Sequence, residues 1–297
     1  MQPSSRQQII LGMPSYREPA QRLAAAAGCA YADIDVHTFP DGESRVRLPA
    51  QLPEEVVICV SLDRPNDKLV ALELAAATAR ELGAGRVVLV APYLCYMRQD
   101  RAFVPGEAVS QHVIGHALAR HFDTVITVDP HLHRVHRLDQ AVPVRRAVAL
   151  TAASLMTDWL GTNANAPLLL GPDAESAQWV SAIATPAGLE FGVAHKQRLG
   201  DRDVRITLPS LAFAGRHVVV VDDVASSGQT LLEATRLLVA AGAVEITVLV
   251  THALFVGDAE QRLRAAGVSG ICSTDSVVHP SNRIALAPLL AQALSEP

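Results

Sequence analysis

The sequence predicts an α/β protein made of two tandem domains, each a mainly parallel sheet flanked by helices. Apolar runs alternate with helical patterns along the whole chain of 297 residues, and this alternation is typical of parallel sheets with right-handed crossovers. Hydrophobic residues make up 49% of the chain but aromatic residues only 4%, so the cores are expected to be built from Ala, Val and Leu. A chain of this length exceeds one typical small domain, and two domains are the natural expectation.

The predicted strands are short apolar runs rich in β-branched residues, which suit a sheet buried on both faces. They are Ile9–Gly12, Val56–Ser61, Arg86–Ala91, Thr124–Asp129, Pro167–Gly171, Phe191–His195, His217–Asp222 and Glu245–Thr251. The predicted helices are Pro19–Ala27, Asp67–Leu82, Ser110–Arg120, Thr151–Leu160, Glu175–Ala187, Thr230–Ala240 and Asp258–Ala266. A last amphipathic helix, Ile284–Leu294, could pack back on the first domain.

A faint internal repeat supports the prediction of two domains. The segment LELAAATARELGAGRVVLVAPYL in the first half parallels LLEATRLLVAAGAVEITVLVTHAL in the second; each is an Ala-rich helix, a Gly stop and a buried strand. The join is predicted near Val142–Arg146, where a Pro and two Arg interrupt the pattern. The predicted domains are therefore 1–145, joined by a C-terminal helix at 284–297, and 146–283.

Charge and composition exclude several classes of protein. The formal net charge of −5 gives no general attraction to nucleic acid or anionic lipid, so anionic substrates would have to be held by local Arg and Lys. The N-terminus lacks the regions of a signal peptide, and no apolar run reaches membrane-spanning length. The four cysteines are widely spaced and form no CxxC pair, which favours buried free thiols. We expect a soluble, cytoplasmic protein with no nucleic-acid or membrane partner.

The most informative stretch is VVVVDDVASSGQT, which spans Val218–Thr230. It reads as a buried strand that ends in the acids Asp222 and Asp223, followed by small residues and the start of a helix. Backbone N–H groups at such a helix start form an anion cradle, and small side chains let a phosphate come close. The loop lacks the Lys of a Walker A sequence, so a sugar phosphate with hydroxyls or a metal beside the acids suits it better than a nucleotide. The alternative is that the two acids only end the strand and cap the helix.

Further candidates follow the strands of the first half, because ligands of parallel sheets bind beyond the carboxyl ends of the strands. In FPDGESRVR, an Asp-Gly turn would project Phe39 together with Asp41 and Glu43, although an ordinary charged turn is the simpler interpretation. In YLCYMRQDR, two arginines flank Gln99 and Asp100 and could bind a phosphate chain. A solvated charged turn explains this string equally well.

Histidines follow the fourth predicted strand, in VDPHLHRVH. His131 comes directly after the acid and the proline at the strand end. A zinc site that included His133 and His136 would lack a complete tetrahedral set of ligands. A loosely held Mg²⁺ on one His, carboxylates, water and substrate phosphate is more consistent.

The second half carries two more post-strand motifs. GPDAES places Asp173 between a strand end and a helix start. In VAHKQRLGDRDVR, Lys196 and Arg198 alternate and would share one face of an extended chain. A mobile cationic lid that closes over transferring phosphates has this pattern, and so does an ordinary charged loop.

Taken together and in this order, the motifs resemble those of the ribose-phosphate pyrophosphokinase family, the phosphoribosyl-pyrophosphate (PRPP) synthetases, over essentially the whole chain. The resemblance implies two tandem type I phosphoribosyltransferase-like domains, the first on the ATP side and the second on the ribose 5-phosphate side. It implies transfer of the pyrophosphoryl group of ATP to the 1-hydroxyl of ribose 5-phosphate, which gives PRPP and AMP. It also implies Mg²⁺ as the cofactor and a homo-oligomer, a dimer, tetramer or hexamer.

The resemblance assigns a role to each motif. The implied ATP-binding residues are Phe39, Asp41, Glu43, Arg98, Gln99, Asp100 and Arg101. The implied ribose-5-phosphate-binding residues are Asp222, Asp223, Ser226, Ser227, Gly228, Gln229 and Thr230. His131 and Asp173 are the implied metal ligands. Lys196 and Arg198 are the implied catalytic pair, which meets the charge of the transition state.

The sequence departs from the commoner family pattern at two places. Ser226 stands where an Asp is usual, which is similar to an archaeal-type subgroup, and His133–Asp139 does not match the family's stretch after DPH. These departures point to altered donor use or phosphate regulation rather than to lost activity. One alternative function is a PRPP-using phosphoribosyltransferase, which would need a base-binding hood and would not need FPDGE, RQDR and the lid. Another is a catalytically silent regulatory subunit, an alternative that loss of the lid Lys would have favoured.

Overall fold

The computed structural model describes residues 8–132, 134–198 and 204–296. Contacts within it divide the chain into two compact units. The first unit comprises Met1–Leu150, Ser276–Val278 and Ala285–Pro297, and the second comprises Thr151–Asp275 and His279–Ile284.

The boundary between the units follows Leu150, five residues later than the predicted end at residue 145. The segment Arg146–Leu150 pairs in parallel register with Thr124–Val128 and is the edge strand of the first sheet. The break of pattern near Pro143 therefore marks a turn before the last strand rather than a domain boundary.

The first unit is built on one six-stranded parallel sheet and a separate hairpin. Its strands are β1 (Gln8–Gly12), β2 (Ala30–Asp33), β3 (Asp35–Thr38), β4 (Ser44–Arg47), β5 (Glu55–Cys59), β6 (Arg86–Val90), β7 (Thr124–Val128) and β8 (Arg146–Leu150). The sheet has the order β2-β1-β5-β6-β7-β8, and every neighbouring pair is parallel. Strands β3 and β4 form the antiparallel hairpin. The helices are α1 (Arg17–Ala27), α2 (Pro65–Glu81), α3 (Ser110–His121) and α4 (Leu138–Ala141).

The second unit repeats this plan. Its strands are β9 (Leu168–Gly171), β10 (Phe191–Val193), β11 (His195–Arg198), β12 (Val204–Thr207), β13 (His217–Ala225), β14 (Glu245–Ala253), β15 (Gly270–Thr274) and β16 (Asn282–Ile284). The parallel sheet has the order β10-β9-β13-β14-β15-β16, and β11 with β12 forms the antiparallel hairpin. The helices are α5 (Ala153–Asn163), α6 (Ala177–Ala187), α7 (Gln229–Ala240) and α8 (Ala259–Ala265).

The internal repeat therefore extends over the whole fold of each unit. Both sheets place the second strand at one edge, followed by the first, third, fourth, fifth and sixth, and both insert a hairpin between the second and third strands. The repeat reaches single residues: α1 and α6 both end at a left-handed glycine, Gly28 and Gly188, with φ of 64° and 62°. After the fourth strand of each sheet the chain also contains a left-handed non-glycine residue, Tyr96 in the first unit and Phe255 in the second, with φ of 59° and 33°.

Central strands were predicted better than edge strands. β5 and β7 are buried along their full length, and their apolar runs are visible in the sequence. Prediction missed the edge strands β2, β8 and β16, together with β15, because each mixes polar and small residues with apolar ones. The predicted strand Phe191–His195 is two strands, β10 and β11, which are separated at Ala194.

A C-terminal helix, α9 (Ala287–Ser295), packs against α1 in the first unit. The guanidinium of Arg146 donates to the carbonyl oxygen of Ala293 at 3.1 and 3.3 Å, so a cation lies at the negative end of the helix, where it is stabilising. None of the described helices is long and apolar enough to cross a membrane. All four cysteines are free; three are buried and Cys29 is half-buried.

Two helical glycines provide a test of the packing. A Cβ added at Gly115 in α3 would overlap the carbonyl oxygen of Ala141 and lie 2.9 Å from its carbon, whereas one added at Gly161 in α5 would meet nothing within 4 Å. We expect Gly115→Ala to destabilise the protein by roughly 1–3 kcal/mol, because backbone cannot yield easily. Gly161→Ala should stabilise it by roughly 0.5–1 kcal/mol, because alanine loses less backbone freedom in a helix. Opposite shifts of the thermal midpoint, followed by circular dichroism, would support this packing, and equal shifts would contradict it.

Candidate active site

The candidate phosphate loop of the second unit, Ala225–Gly228, lies at the carboxyl end of β13. The carbonyl oxygen of Ala225 accepts hydrogen bonds from the N–H groups of Leu254 and Phe255 at 3.0 and 2.9 Å, and that of Ser226 accepts one from Val256 at 3.0 Å. The carbonyl oxygen of Ser227 accepts one from the guanidinium of Arg262 at 2.8 Å. Three consecutive carbonyl groups of the loop are therefore held by one segment, Leu254–Arg262.

This bonding fixes the direction of the loop N–H groups. The described chain contains no cis peptide bond, and in a trans peptide the N–H points opposite to the carbonyl of the same unit. The N–H groups of Ser226, Ser227 and Gly228 therefore all point away from the segment that binds the carbonyls. Gly228, with φ of 69°, is also the N-cap of α7. A row of N–H groups at a helix start is an anion-binding concavity.

The two acids at the end of β13 do not cap this helix. The N-cap residue is Gly228, and no side chain makes a capping hydrogen bond, which removes the simpler interpretation of Asp222 and Asp223. The strand continues to Ala225, beyond its predicted end at Asp222. Both acids are thus strand residues, with Asp223 buried and Asp222 half-buried.

Three carboxylates of the second unit influence one another. Burial raises the pKa of Asp222 well above its ordinary value, and the negative charges of Asp223 and Asp173 raise it further. The Oδ1 atom of Asp222 accepts a hydrogen bond from the N–H of Asp223 at 3.0 Å. Asp173 follows β9, which is the neighbour of β13 in the sheet. A site with this repulsion favours either a proton or a cation between the acids.

Asp173 also builds the turn that it lies in. Its Oδ1 atom accepts hydrogen bonds from the N–H groups of Glu175 and Ser176 at 3.1 and 3.3 Å. A Cβ added at Gly171 would lie 2.5 Å from the Oγ atom of Ser176, so the strand end and the turn fit tightly together. The sequence GPDAES thus specifies a rigid turn that fixes one carboxylate beside the β13 acids.

In the first unit, the FPDGE motif is the tip of the β3–β4 hairpin. The N–H of Phe39 donates to the carbonyl of Glu43 at 2.8 Å and the N–H of Gly42, with φ of 91°, donates to that of Phe39 at 2.9 Å. The Oδ1 atom of Asp41 accepts from the N–H of Glu43 at 3.1 Å. The ring of Phe39 is 41% exposed and meets the edge of the His37 ring at 4.8 Å. The hairpin therefore presents an aromatic face, and Asp41 shapes the turn beneath it.

The RQDR segment after β6 separates into exposed and packed residues. Arg98 and Arg101 are exposed, and the guanidinium of Arg101 lies 4.7 Å from the centre of the Phe103 ring. Gln99 is fixed to the start of α3, because its Oε1 atom accepts from the hydroxyl of Ser110 at 3.1 Å. A rigid segment thus presents two cations, as phosphate binding requires.

Asp100 connects this segment to the one that follows β7. Its side chain is only 4% exposed, and its Oδ1 atom accepts a hydrogen bond from Arg134 at 2.8 Å. Its Oδ2 atom is buried without a hydrogen-bond partner. The predicted ligand His131 lies three residues beyond Val128, the last residue of β7, in an irregular stretch that begins at Asp129, whose φ is 39°. Asp100 is therefore a link between two candidate ATP-binding segments.

The predicted lid is a hairpin in its described part. Lys196 and Arg198 both belong to β11, and their backbones pair with those of Ile206 and Val204 in β12. The tip, residues 199–203, lies outside the described residues, as does His133. This hairpin takes the same place in the second unit as the β3–β4 hairpin in the first, a correspondence that the sequence motifs did not reveal.

Comparisons with known proteins agree on one family. Residues 8–121 match the description "N-terminal domain of ribose phosphate pyrophosphokinase", and residues 139–271 match "Phosphoribosyl transferase domain". A ribose-phosphate pyrophosphokinase of Methanopyrus kandleri is 34% identical over 290 residues, which are 96% of this chain and 98% of that protein. One of Saccharolobus solfataricus is 33% identical over 91% of this chain and 93% of that protein. The chain belongs to the ribose-phosphate pyrophosphokinase family.

The fold agrees with this membership. The crystal structure of phosphoribosylpyrophosphate synthetase from Mycobacterium smegmatis is similar to this chain with a TM-score of 0.83 at 20% identity, and 97% of each chain is covered. The predicted α/β class, with two phosphoribosyltransferase-like domains, is thereby confirmed. The relatives at about one-third identity are archaeal, in line with the archaeal-like phosphate loop noted in the sequence.

Within the described residues, the two units of this pyrophosphokinase differ in the segment that follows the third strand of the sheet. The equivalent segment of the first unit, which follows β5, is closed by its own ion pair: the Nζ atom of Lys68 lies 2.6 Å from Asp63 and 2.9 Å from the carbonyl of Ser61. Both charged side chains are largely buried. Sequence reasoning missed this ion pair, and the only signal for it was the position of the segment in the repeat.

The carboxylate cluster leads to a test of stability. The folded state holds a proton on Asp222 at pH values where the unfolded chain has lost it, so ionisation of this group destabilises the fold as the pH rises. Asp222→Asn keeps the Oδ1 acceptor and removes the charge. We expect it to raise the free energy of unfolding by on the order of 1 kcal/mol in metal-free buffer at neutral pH, which is seen as a higher thermal midpoint. The gain should vanish as the pH falls toward the ordinary aspartate pKa of about 3.9.

Asp158→Asn is the matched control for this prediction, because Asp158 is exposed on α5 of the same unit. It should leave the midpoint unchanged at every pH. A gain at Asp222 that did not depend on pH would contradict the argument.

Proposed function

We propose that this pyrophosphokinase transfers the β,γ-pyrophosphoryl group of ATP to the 1-hydroxyl of ribose 5-phosphate, giving PRPP and AMP. The oxygen of the 1-hydroxyl attacks the β-phosphorus, the bond from the β-phosphorus to the bridging oxygen of AMP breaks, and the hydroxyl proton is lost. The observation that carries the proposal is the row of N–H groups at Ser226–Gly228 beside the acids of β13. A phosphate monoester on a sugar matches both parts of this arrangement.

The ribose 5-phosphate half belongs to the second unit in this proposal. Ser226–Thr230 bind the 5-phosphate through backbone N–H groups and hydroxyls. Asp222 and Asp223 accept hydrogen bonds from ribose hydroxyls, as carboxylates readily do. Binding would favour a sugar phosphate over inorganic phosphate, because inorganic phosphate has no ribose hydroxyls that could reach the acids while its oxygens occupy the loop.

The ATP half belongs to the first unit. The exposed ring of Phe39 would stack on the adenine, with Asp41 and Glu43 near the base edge, and the exposed guanidinium of Arg98 supports a role on the phosphates. For Gln99 and Asp100 the packing supports a second role, since they hold the segment in place. The hairpin exposes its aromatic tip, which supports a homo-oligomer in which a neighbouring copy receives it.

The second unit offers carboxylates, the type of ligand that a hard divalent cation such as Mg²⁺ prefers, and no group of three or more metal-binding side chains lies together among the described residues. The charge repulsion that raises the pKa of Asp222 would be offset by such an ion, and Asp173 contributes a fixed carboxylate beside it. In the second unit, Asp173 is the residue that would hold it, and His131 of the first unit stays a prediction of the sequence resemblance. When bound, Mg²⁺ would neutralise charge on the transferring phosphates.

The activity can be measured directly as AMP release. With ATP, Mg²⁺ and ribose 5-phosphate, the protein should produce AMP and PRPP in equal amounts. Omission of ribose 5-phosphate, or chelation of the metal, should abolish AMP release. Folded protein that produced no ribose-5-phosphate-dependent AMP would overturn the proposal, and conversion of added PRPP with a base to a nucleotide would favour a phosphoribosyltransferase instead.

Lys196 and Arg198 are proposed to meet the charge that develops on the phosphates. Such phosphoryl chemistry depends on positioning and charge neutralisation. Lys196→Ala should therefore lower kcat by about two orders of magnitude or more, with little change in the affinity for ribose 5-phosphate. Calorimetric titration of the variant with ribose 5-phosphate checks the second part. Comparable losses of turnover and of affinity would make Lys196 a binding residue.

A further inference from the structure

We infer that Arg262, on α8, is a positioning residue that sets the phosphate loop of the second unit for its anion. Arg262 lies outside every motif that the sequence singled out. Its guanidinium donates to the carbonyl oxygen of Ser227 at 2.8 Å. The inference rests on the proposed function, because it concerns the loop that would bind the 5-phosphate.

The bond to Ser227 differs from the other bonds behind the loop. The carbonyls of Ala225 and Ser226 are held by backbone N–H groups, which no substitution removes without proline. The third carbonyl is held by a side chain, and this side chain carries a full charge. Hydrogen bonds from charged donors are about twice as strong as neutral ones.

The position of this peptide unit explains why the bond matters. The carbonyl of Ser227 and the N–H of Gly228 belong to the same planar unit and point in opposite directions. A cation on the carbonyl oxygen therefore both orients this N–H and polarises it, which strengthens it as a donor. Gly228 is the N-cap of α7, so the affected N–H lies at the helix start, where an anion is favoured.

Arg262 is itself held in place. Its Nε atom lies 3.0 Å from the Oδ1 atom of Asp258. The two side chains form an ion pair, but the geometry at Nε is not that of a hydrogen bond. A Cβ added at Gly228 would lie 3.5 Å from Ala259 and 3.6 Å from Leu263, so α8 packs directly against the loop. The arginine thus reaches the carbonyl from a helix that already touches the neighbouring residue.

The test compares Arg262→Met with Arg264→Met. Methionine keeps much of the apolar stem and removes every donor. Arg264 lies on the same helix and pairs only with Glu260 among the described residues, at 2.8 and 3.1 Å, so it is a matched control. Ribose 5-phosphate binding is measured by calorimetry, and KM for each substrate is measured by AMP release. Thermal unfolding shows that the variants are folded.

We expect Arg262→Met to weaken ribose 5-phosphate binding roughly tenfold or more, while KM for ATP stays within about twofold. Arg262→Lys, which restores a cation without the planar fork, should recover part of the loss. Arg264→Met should leave both substrates unaffected. If Arg262→Met does not fold, Arg262→Lys carries the test, with an expected loss of several-fold.

Two results would overturn the inference: unchanged ribose 5-phosphate affinity in the Arg262 variants, or an equal loss in Arg264→Met. Equal increases in KM for both substrates would also overturn it, because they would indicate a general structural role. Failure of the proposed function looks different, since the unsubstituted protein would then not bind ribose 5-phosphate at all.

Discussion

The candidate site depends on one constraint: hydrogen bonds hold three consecutive loop carbonyl groups on one side of the chain. Peptide planarity converts this constraint into a row of N–H groups on the other side. The segment that holds the carbonyls passes through Phe255, whose φ of 33° places a bulky residue in the left-handed region. Such strain persists only where the surroundings determine the conformation. Here the two backbone bonds to Ala225, made by Leu254 and Phe255, provide that determination.

The loop is stabilised by its surroundings, whereas the ionised form of Asp222 beside it is destabilised by its surroundings. Asp222 is placed where burial and two neighbouring charges disfavour its ionised form, although a neutral residue would be more stable there. A position that is unfavourable for folding but suited to binding hydroxyls or a cation is typical of functional sites. The hydrogen bonds of Asp173 to its own turn maintain this repulsion. The carboxylate of Asp173 cannot move away from the acids of β13 without losing those hydrogen bonds.

The sequence was sufficient for the central strands, most helices and the motifs, but not for how the motifs are supported. Val218–Val221 is a clear apolar run and the Ala-rich helices are recognisable; the Asp pair lies near the carboxyl end of β13 and RQDR follows β6, on the side of a parallel sheet where ligands bind. Edge strands such as β8 mix polar and small residues with apolar ones, so this strand was not predicted. Arg262 and Arg134 were missed for a different reason. Each acts through a contact with a residue that is distant in sequence, 35 and 34 positions away, and local patterns contain no information on such pairs.

The duplicated fold explains why the two halves can serve different substrates. Both units place a hairpin after the second strand and a loop after the third, yet only the loop of the second unit is our candidate for a sugar phosphate. In the first unit, Lys68 and Asp63 satisfy each other beside the carbonyl of Ser61, so a cation of the chain itself occupies the place of a ligand. In the second unit, Arg262 approaches the loop from behind, on the carbonyl side, and leaves the N–H side for an anion. In both units a positive side chain thus lies near the loop that follows the third strand. In the first unit it pairs with an acid of the chain, and in the second it binds the carbonyl side of the loop and leaves the N–H side accessible.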